Sequence, residues 1–228
     1  MTARDTVLGS IRRSLGVSGH EAPRHKAVAD RLATHPAGVV PARGQVAPFE
    51  RVALFIKMME FASGTVDLVA ETEDVPSAVA AFLRRHNLPM QVRRGDDRRL
   101  AALPWQREAT LEVSNGVSDG GQLASVSHAF GAVAETGTLV LTSGADNPTT
   151  LNFLPDNHVV VVDAKDVTGD FETVWQKLRE TYGVGIMPRT VNLITGPSRS
   201  ADIEQTLILG AHGPRRLHVM VVGEATAA

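Results

Sequence analysis

The chain has 228 residues, 43% hydrophobic and 21% charged, with a formal net charge of −2 and a pI near 6.4. That length suits one domain, or one domain with an appendage, around a core that needs no covalent staples. The near-neutral balance excludes a whole-chain bias towards nucleic acid or anionic membrane, and the absence of cysteine excludes disulfides, thiolate chemistry and a cysteine-held iron–sulfur cluster within the chain. No stretch approaches the roughly 20 apolar residues of a membrane span. Asp5, Arg12 and Arg13 interrupt any apolar leader, so a cytoplasmic protein is expected.

Val7, Leu8, Ile11 and Leu15 recur at helical spacing and Gly16 stops the pattern, which predicts a short amphipathic helix. Residues 17–48 carry Pro23, Pro36, Pro41 and Pro48 with Gly19, Gly38 and Gly44 and read as a linker or extended arm. The first 45 residues hold Arg4, Arg12, Arg13, Arg24, Lys26, Arg31 and Arg43 against Asp5, Glu21 and Asp30. Two readings stay open for this basic segment: a solvated arm, or a docking surface for an acidic partner. The apolar helix face must be covered either by its own domain or by a neighbouring subunit, which would make the arm a route to a homo-oligomer. The domain boundary is therefore set between 1–48 and 49–228.

From Phe49 the pattern alternates. Val52, Phe55, Ile56, Met58 and Met59 mark a helix ending at Gly64, and Thr65 to Ala70 reads as a strand. Val75 to His86 reads as a helix with Ala78, Val79, Phe82 and Leu83 inward, and Met90 to Arg93 as a strand. Residues 94–109 are charged and irregular. Leu111 to Ser114 and Leu123 to Val126 predict short strands around a loop at 115–121, while Gly137 to Thr142 and His158 to Asp163 are apolar runs suited to strands covered on both faces. Phe171 to Tyr182 predicts a helix, Thr190 to Thr195 a strand, Asp202 to Leu209 a helix and Leu217 to Val222 a last strand. This rhythm implies an α/β fold with a mostly parallel sheet flanked by helices.

Ligands of parallel α/β sheets bind beyond the carboxyl ends of strands, and two loops stand out. The first is Ala134-Glu135-Thr136-Gly137-Thr138, leading into an apolar strand. A carboxylate there must be solvated or hydrogen-bonded. Glu135 either caps a turn or pairs with an arginine such as Arg199, or it is a positioned general base or nucleophile towards an acyl group. Gly137 suits a positive φ or a close backbone approach. The second loop is Gly196 to Glu204, read as a strand-to-helix junction. Ser198 or Ser200 would cap the helix, and Asp202 and Glu204 would complement its positive end. Arg199 with free N–H groups would alternatively hold an anion, a carboxylate before a phosphate.

His212 on a Gly-Pro turn is the histidine suited to substrate contact or proton shuttling. His218, in a strand, is either a core histidine or a further substrate contact. Their six-residue spacing crosses a turn and matches no metal pair, so no metal is expected. No P-loop, Gly-x-Gly-x-x-Gly, Gly-x-Ser-x-Gly or His-Glu-x-x-His motif occurs. With aromatic residues at 4%, no flavin-stacking platform is evident and no tightly bound flavin is expected.

Four features occur in order over roughly 134–222: Ala-Glu-Thr-Gly-Thr at 134–138, Leu154-Pro155 before a strand, Gly-Pro-Ser-Arg-Ser-Ala-Asp-Ile-Glu at 196–204, and His212-Gly213-Pro214 before Leu217-His218-Val219. Together they resemble the lactate-utilisation (LUD-domain) family, and the N-terminal helix and linker resemble the layout of its lactate-utilisation protein C branch. The resemblance implies a fold related to the NagB/RpiA/CoA-transferase-like superfamily. It also implies a part in oxidising L-lactate to pyruvate beside two iron–sulfur proteins, lactate-utilisation proteins A and B. The clusters are then expected on those partners, with no cofactor in this chain.

Carried over by position, the family's motifs fall on Glu135, Thr136, Gly137, Ser198, Arg199, Asp202, Glu204, His212 and His218, with Thr138 beside them. Two departures bear on the ligand. Residues 127–133 lack the small polar and acidic residues expected there, and Asn147-Pro148-Thr149-Thr150 has threonine where arginine is common. The alternatives left open are a stand-alone CoA-transferase-like enzyme using Glu135, and a carboxylate or sugar-phosphate binding protein using Arg199.

Overall fold

The computed structural model describes residues 2–183, 185–200 and 208–224. The chain divides into two compact units, residues 1–39 and 40–228.

In the first unit, helix α1 (Ala3–Leu15) starts at a capping box in which Thr2 and Asp5 bond each other's backbone N–H, and Gly16 ends it at φ 64°. Residues 17–48 are not the extended arm expected. They contain a second helix, α2 (Ala22–Thr34). Pro23 lies in its first turn, where the missing N–H costs nothing, so this proline marks a helix start and not a linker. Val28 and Leu32 are its exposed large apolar side chains, too few to register as a periodic stripe.

The second unit begins with a 3-10 turn at Ala42–Gly44 and helix α3 (Pro48–Phe61), where Glu50 accepts from the Ala47 N–H. There follow β1 (Thr65–Val69), α4 (Val75–Arg85), β2 (Gln91–Arg94), the single turn α5 (Arg98–Ala101), β3 (Glu112–Asn115) and β4 (Ala124–His128). Next come β5 (Gly131–Val133), β6 (Thr138–Thr142), α6 (Thr149–Phe153), β7 (Asn157–Asp163), β8 (Val167–Thr168) and α7 (Phe171–Tyr182). The last elements are β9 (Val191–Ile194), β10 (Arg199–Ser200), β11 (Ile208–Leu209) and β12 (Arg216–Val222).

Six strands form one all-parallel sheet in the order β1-β12-β7-β4-β2-β3. The α/β class with helices flanking a parallel sheet is thus observed. A feature absent from the sequence reading is a second sheet, β8-β5-β6-β9, in which β6 runs antiparallel to both neighbours. The apolar run at 138–142 is covered on both faces, as such runs require, but it belongs to this second sheet. Burial on two faces does not by itself set strand direction.

Side-chain alternation sorts the core. Val126, Val161 and Met220 face α4 and α5 with Val79, Phe82, Leu83 and Leu100. Val160, Val162, Val219 and Val221 face the other way, against Phe55 and Met59 of α3 and Leu139 and Leu141 of the second sheet. Val133 and Val140 on that sheet's far side pack on Val174 and Leu178 of α7. The unit is layered helix, sheet, sheet with α3, and helix. The helix expected over 202–209 is corrected at its end: Ile208 and Leu209 pair as a strand with Ser200 and Arg199, and 201–207 lie outside the described residues.

Two strand histidines are sealed in this core. His158 donates from Nε2 to Ser127 Oγ (3.0 Å), which donates to Asn152 Oδ1 (3.2 Å). Burial alone lowers the His158 pKa to about 3. Burial also lowers that of His218, to about 4, against the pull of Asp67. Both rings are neutral in the folded chain, while the unfolded chain protonates near the ordinary 6.5. Stability is therefore fully present above pH 6.5 and falls as the pH drops, by up to about 1.4 kcal/mol per unit per histidine, until each folded pKa is passed. Urea unfolding between pH 8 and 4 should show a plateau and then this decline, and His158→Gln should remove one proton's share of the slope.

Candidate functional site

The tip of the β5–β6 hairpin is built on backbone contact. Gly137 sits at φ 66°, and a Cβ there would come within 2.4 Å of the Met59 nitrogen. Gly137 thus makes a close backbone approach to α3, together with the positive φ expected of it. Thr136, Thr138 and Thr195 form a hydroxyl chain with Oγ1–Oγ1 distances of 2.7 and 2.7 Å, tying the hairpin to the end of β9.

Glu135 is only 3% exposed. Its Oε1 accepts from the Phe171 N–H at the start of α7 (3.4 Å), and its backbone N–H donates to the Gly169 carbonyl (3.1 Å). Gly44 lies over the carboxylate, where an added Cβ would stand 3.2 Å from Oε2. Oε2 and the nearby Arg51 Nε are both buried without a hydrogen-bond partner. No ion pair joins Glu135 to Arg199 among the described residues, so the pairing considered from sequence is not made.

Ser198, Arg199 and His212 do come together. They line a cavity of about 270 Å³ with Thr195, Phe153 and Leu217. Ser198 Oγ accepts from the His212 N–H (3.2 Å), and the Ser198 N–H donates to the Pro214 carbonyl (2.8 Å). Ser198 therefore locks the two loops together; the helix it was expected to cap falls on residues outside those described. Arg199 donates to Ser63 Oγ (3.4 Å). Although this loop follows the carboxyl end of β9, the cavity opens beside the amino ends of β7 and β12. Asp202 and Glu204 lie outside the described residues.

His218 is placed elsewhere. On β12 it faces α4, stacked on Phe82 with ring centroids 4.7 Å apart, Nδ1 against Thr65 Oγ1 (2.8 Å) and Nε2 3.4 Å from Asp67 Oδ2. Its neighbour Leu217 lines the cavity from the opposite face. Glu135 and His212, the pair expected to carry catalysis, share none of the cavities described.

A second polar cavity, of about 280 Å³, was not legible in the sequence. It lies beyond the carboxyl ends of β4, β7 and β12, where a parallel sheet binds ligands. Arg99, His128, Asp163 and Lys165 line it. Asp97, 4% exposed, caps α5 and holds Arg99 in a two-point contact (Nε–Oδ1 3.1 Å, Nη2–Oδ2 2.6 Å). His128 is 8% exposed, and its Nδ1 donates to the Ala129 carbonyl at 2.9 Å. Burial, then the Arg99 charge, push its pKa down against Asp163 and Asp97. A larger hollow of about 510 Å³ along β2 and β3 has Arg93 and Glu112 as its charged groups. Both are already engaged, Arg93 with Ser114 and Val117 and Glu112 with Gln91.

A LUD-domain family model matches residues 52–222, which spans every strand of the six-stranded sheet. The chain belongs to the LUD-domain family. Within it, the chain is 36% identical over 107 residues to lactate utilization protein C of Geobacillus thermodenitrificans, covering 46% of this chain and 45% of that protein. It is 33% identical over 93 residues to lactate utilization protein C of Bacillus subtilis, covering 40% and 39%. An uncharacterized Neisseria meningitidis protein is 40% identical over 120 residues, covering 52% and 46%. The chain thus spans about half the length of the curated relatives it matches. A crystal structure of a DUF162 family protein from Deinococcus radiodurans shares the fold, with TM-score 0.55 and 23% identity over 78% of this chain and 99% of that one. No helix among the described residues is long and apolar enough to cross a membrane, and none of their His, Asp and Glu side chains group in threes to hold a metal ion.

The hairpin contact predicts a contrast between two glycines. Gly137→Ala combines a left-handed backbone with a clash on α3 and should lower unfolding free energy by about 2–5 kcal/mol. Gly223→Ala, at φ 82° with open space around it, should cost only about 1–2 kcal/mol. Urea midpoints of the two variants measure the difference; equal losses would show that the α3 contact is not what demands Gly137.

Proposed function

We propose that this LUD-domain protein contributes to the oxidation of L-lactate to pyruvate as a cluster-free subunit working with iron–sulfur partner proteins. The observation that carries the reading is the family match over 52–222, supported by relatives that bear the name lactate utilization protein C. A chain without cysteine has no thiolate to hold a cluster, so the electron-carrying centres of such a system would sit on other chains.

Within this reading, Ser198, Arg199 and His212 are the signature-loop residues open to a carboxylate ligand, since they share one cavity. Glu135 positions the hairpin and the start of α7. The competing reading, a CoA-transferase-like enzyme with Glu135 as nucleophile, draws less support, because a carboxylate 3% exposed beneath Gly44 has no route to an acyl group.

The test is lactate-dependent dye reduction in extracts of a strain lacking this chain, with purified protein added back. Wild type should restore the rate and a folded Glu135→Gln should retain most of it. Arg199→Ala should raise the lactate concentration needed by about tenfold if its guanidinium holds the carboxylate, the effect of one charged hydrogen bond. Full activity of Arg199→Ala would move ligand binding away from the signature loops. No restoration by wild type would remove the lactate role.

A further inference from the structure

At the amino edge of the parallel sheet stands a pair of arginines with no acid beside it. Arg215 and Arg216 are consecutive, and both backbone N–H groups donate to the Asp156 carbonyl (2.8 and 3.1 Å), which fixes the turn into β12. Both side chains line a cavity of about 300 Å³ with Ser63, Thr65 and His86, and no aspartate or glutamate lines it among the described residues. Arg216 Nη1 donates to Asn157 Oδ1 (3.2 Å), a neutral amide that orients the guanidinium without cancelling its charge. No carboxylate pairs with Arg199, Arg215 or Arg216 among the described residues.

The surroundings of the pair are fitted to it. Gly210, at φ 82°, makes room for the Arg215 stem, whose Cγ would overlap any Cβ placed there. His86 closes α4 and meets the Phe82 ring edge-on, with centroids 4.7 Å apart. Burial, then the Arg216 and Arg85 charges, hold its pKa down, so the imidazole lies within the cationic field of this edge. Ser63, left-handed at φ 69°, accepts from Arg199 through Oγ (3.4 Å) and keeps its own hydroxyl proton to donate. Like charges gathered this way repel until an anion joins them. A monocarboxylate is matched by one guanidinium, whereas a tetrahedral dianion with three terminal oxygens engages both and a neutral donor as well.

We propose that this cavity binds a dianionic phosphoryl group, held by Arg215 and Arg216 with Ser63 and His86 as neutral donors. Free phosphate and the phosphate of a monoester share that chemistry. Pro197 and Leu217 line both this cavity and the one that holds Ser198 and His212, so the organic part of an ester would lie along that wall towards Phe153 and Leu193. The inference goes beyond the lactate role and does not rest on it, since neither Arg215 nor Arg216 belongs to the cavity assigned there to a carboxylate.

Calorimetric titration of the full chain with inorganic phosphate, phenyl phosphate and acetate tests this, at about pH 8, where the phosphates carry about two charges, and at fixed ionic strength. At least one of the two phosphates should bind at least about tenfold more tightly than acetate. Arg215→Gln should weaken that binding by about tenfold, the effect of one charged hydrogen bond. Arg107→Gln removes the same charge from the exposed turn Trp105–Arg107 and should leave binding within about twofold of wild type. Arg215 is itself exposed, so its variant tests the site without burdening the fold. Phenyl phosphate bound more tightly than inorganic phosphate would assign the site to an ester, and the reverse to free phosphate; either upholds it. Neither phosphate binding more tightly than acetate, or equal losses in Arg215→Gln and Arg107→Gln, would overturn it.

Discussion

Much of the second unit hangs on one contact, the turn of the β5–β6 hairpin pressed against the backbone of α3. Only a residue without Cβ lets Gly137 reach the Met58–Met59 peptide. That approach sets how deeply Leu139 and Leu141 enter the layer shared with Val160 and Val221. From the same turn, Thr138 fixes Thr195 and so the wall of the signature-loop cavity, while Glu135 meets the first N–H of α7. Residues 135–138 thus each hold a piece of the architecture: Gly137 docks on a helix, Thr138 ties the hairpin to the end of β9, and the Glu135 carboxylate receives a helix end.

The two edges of the parallel sheet differ in electrostatic character. At the amino edge, Arg199 and His212 stand on loops open to water, where a charge interacts weakly. At the carboxyl edge, Asp97 and His128 are almost wholly removed from water, and every polar atom there has a higher energetic stake. Asp97 meets that demand twice, by capping α5 and by gripping Arg99. His128 meets it through Nδ1 on the Ala129 carbonyl, while Nε2 stands at the cavity beside Asp163.

The helices and parallel strands of the second unit were legible because their burial is periodic. Val79, Phe82 and Leu83 repeat at helical spacing, and residues 158–163 form an unbroken run. Helix α2 was not, because it buries nothing and so prints no stripe; its prolines and glycines resembled a linker. The second sheet was obscured since β5 and β8 are three and two residues long, shorter than any periodicity can mark. At the two loops, residue types marked Ser198, Arg199 and His212 separately, as a cap, an anion holder and a turn histidine; that they line one cavity is set by the fold. The carboxyl-edge cluster of Arg99, His128, Asp163 and Lys165 is spread over four separate segments. Asp97 and Arg99 sat in a stretch read as irregular, and strand order alone brings them beside β7.

That strand order has a further consequence, for synthesis. Strand β12 lies between β1 and β7 and is the one neighbour of β1 among the described residues. As the chain emerges, β1 must wait through some 150 residues of sequence, from its own pairing positions at Thr65–Val69 to His218–Val222, before its ladder can form. Until then β7 shows an open edge of near-continuous valine, the sort of surface that pairs with foreign strands. Exposure of that edge thus lasts until β12 has been made, and the pairing of β12 between β1 and β7 is a long-range insertion of the kind that folds slowly.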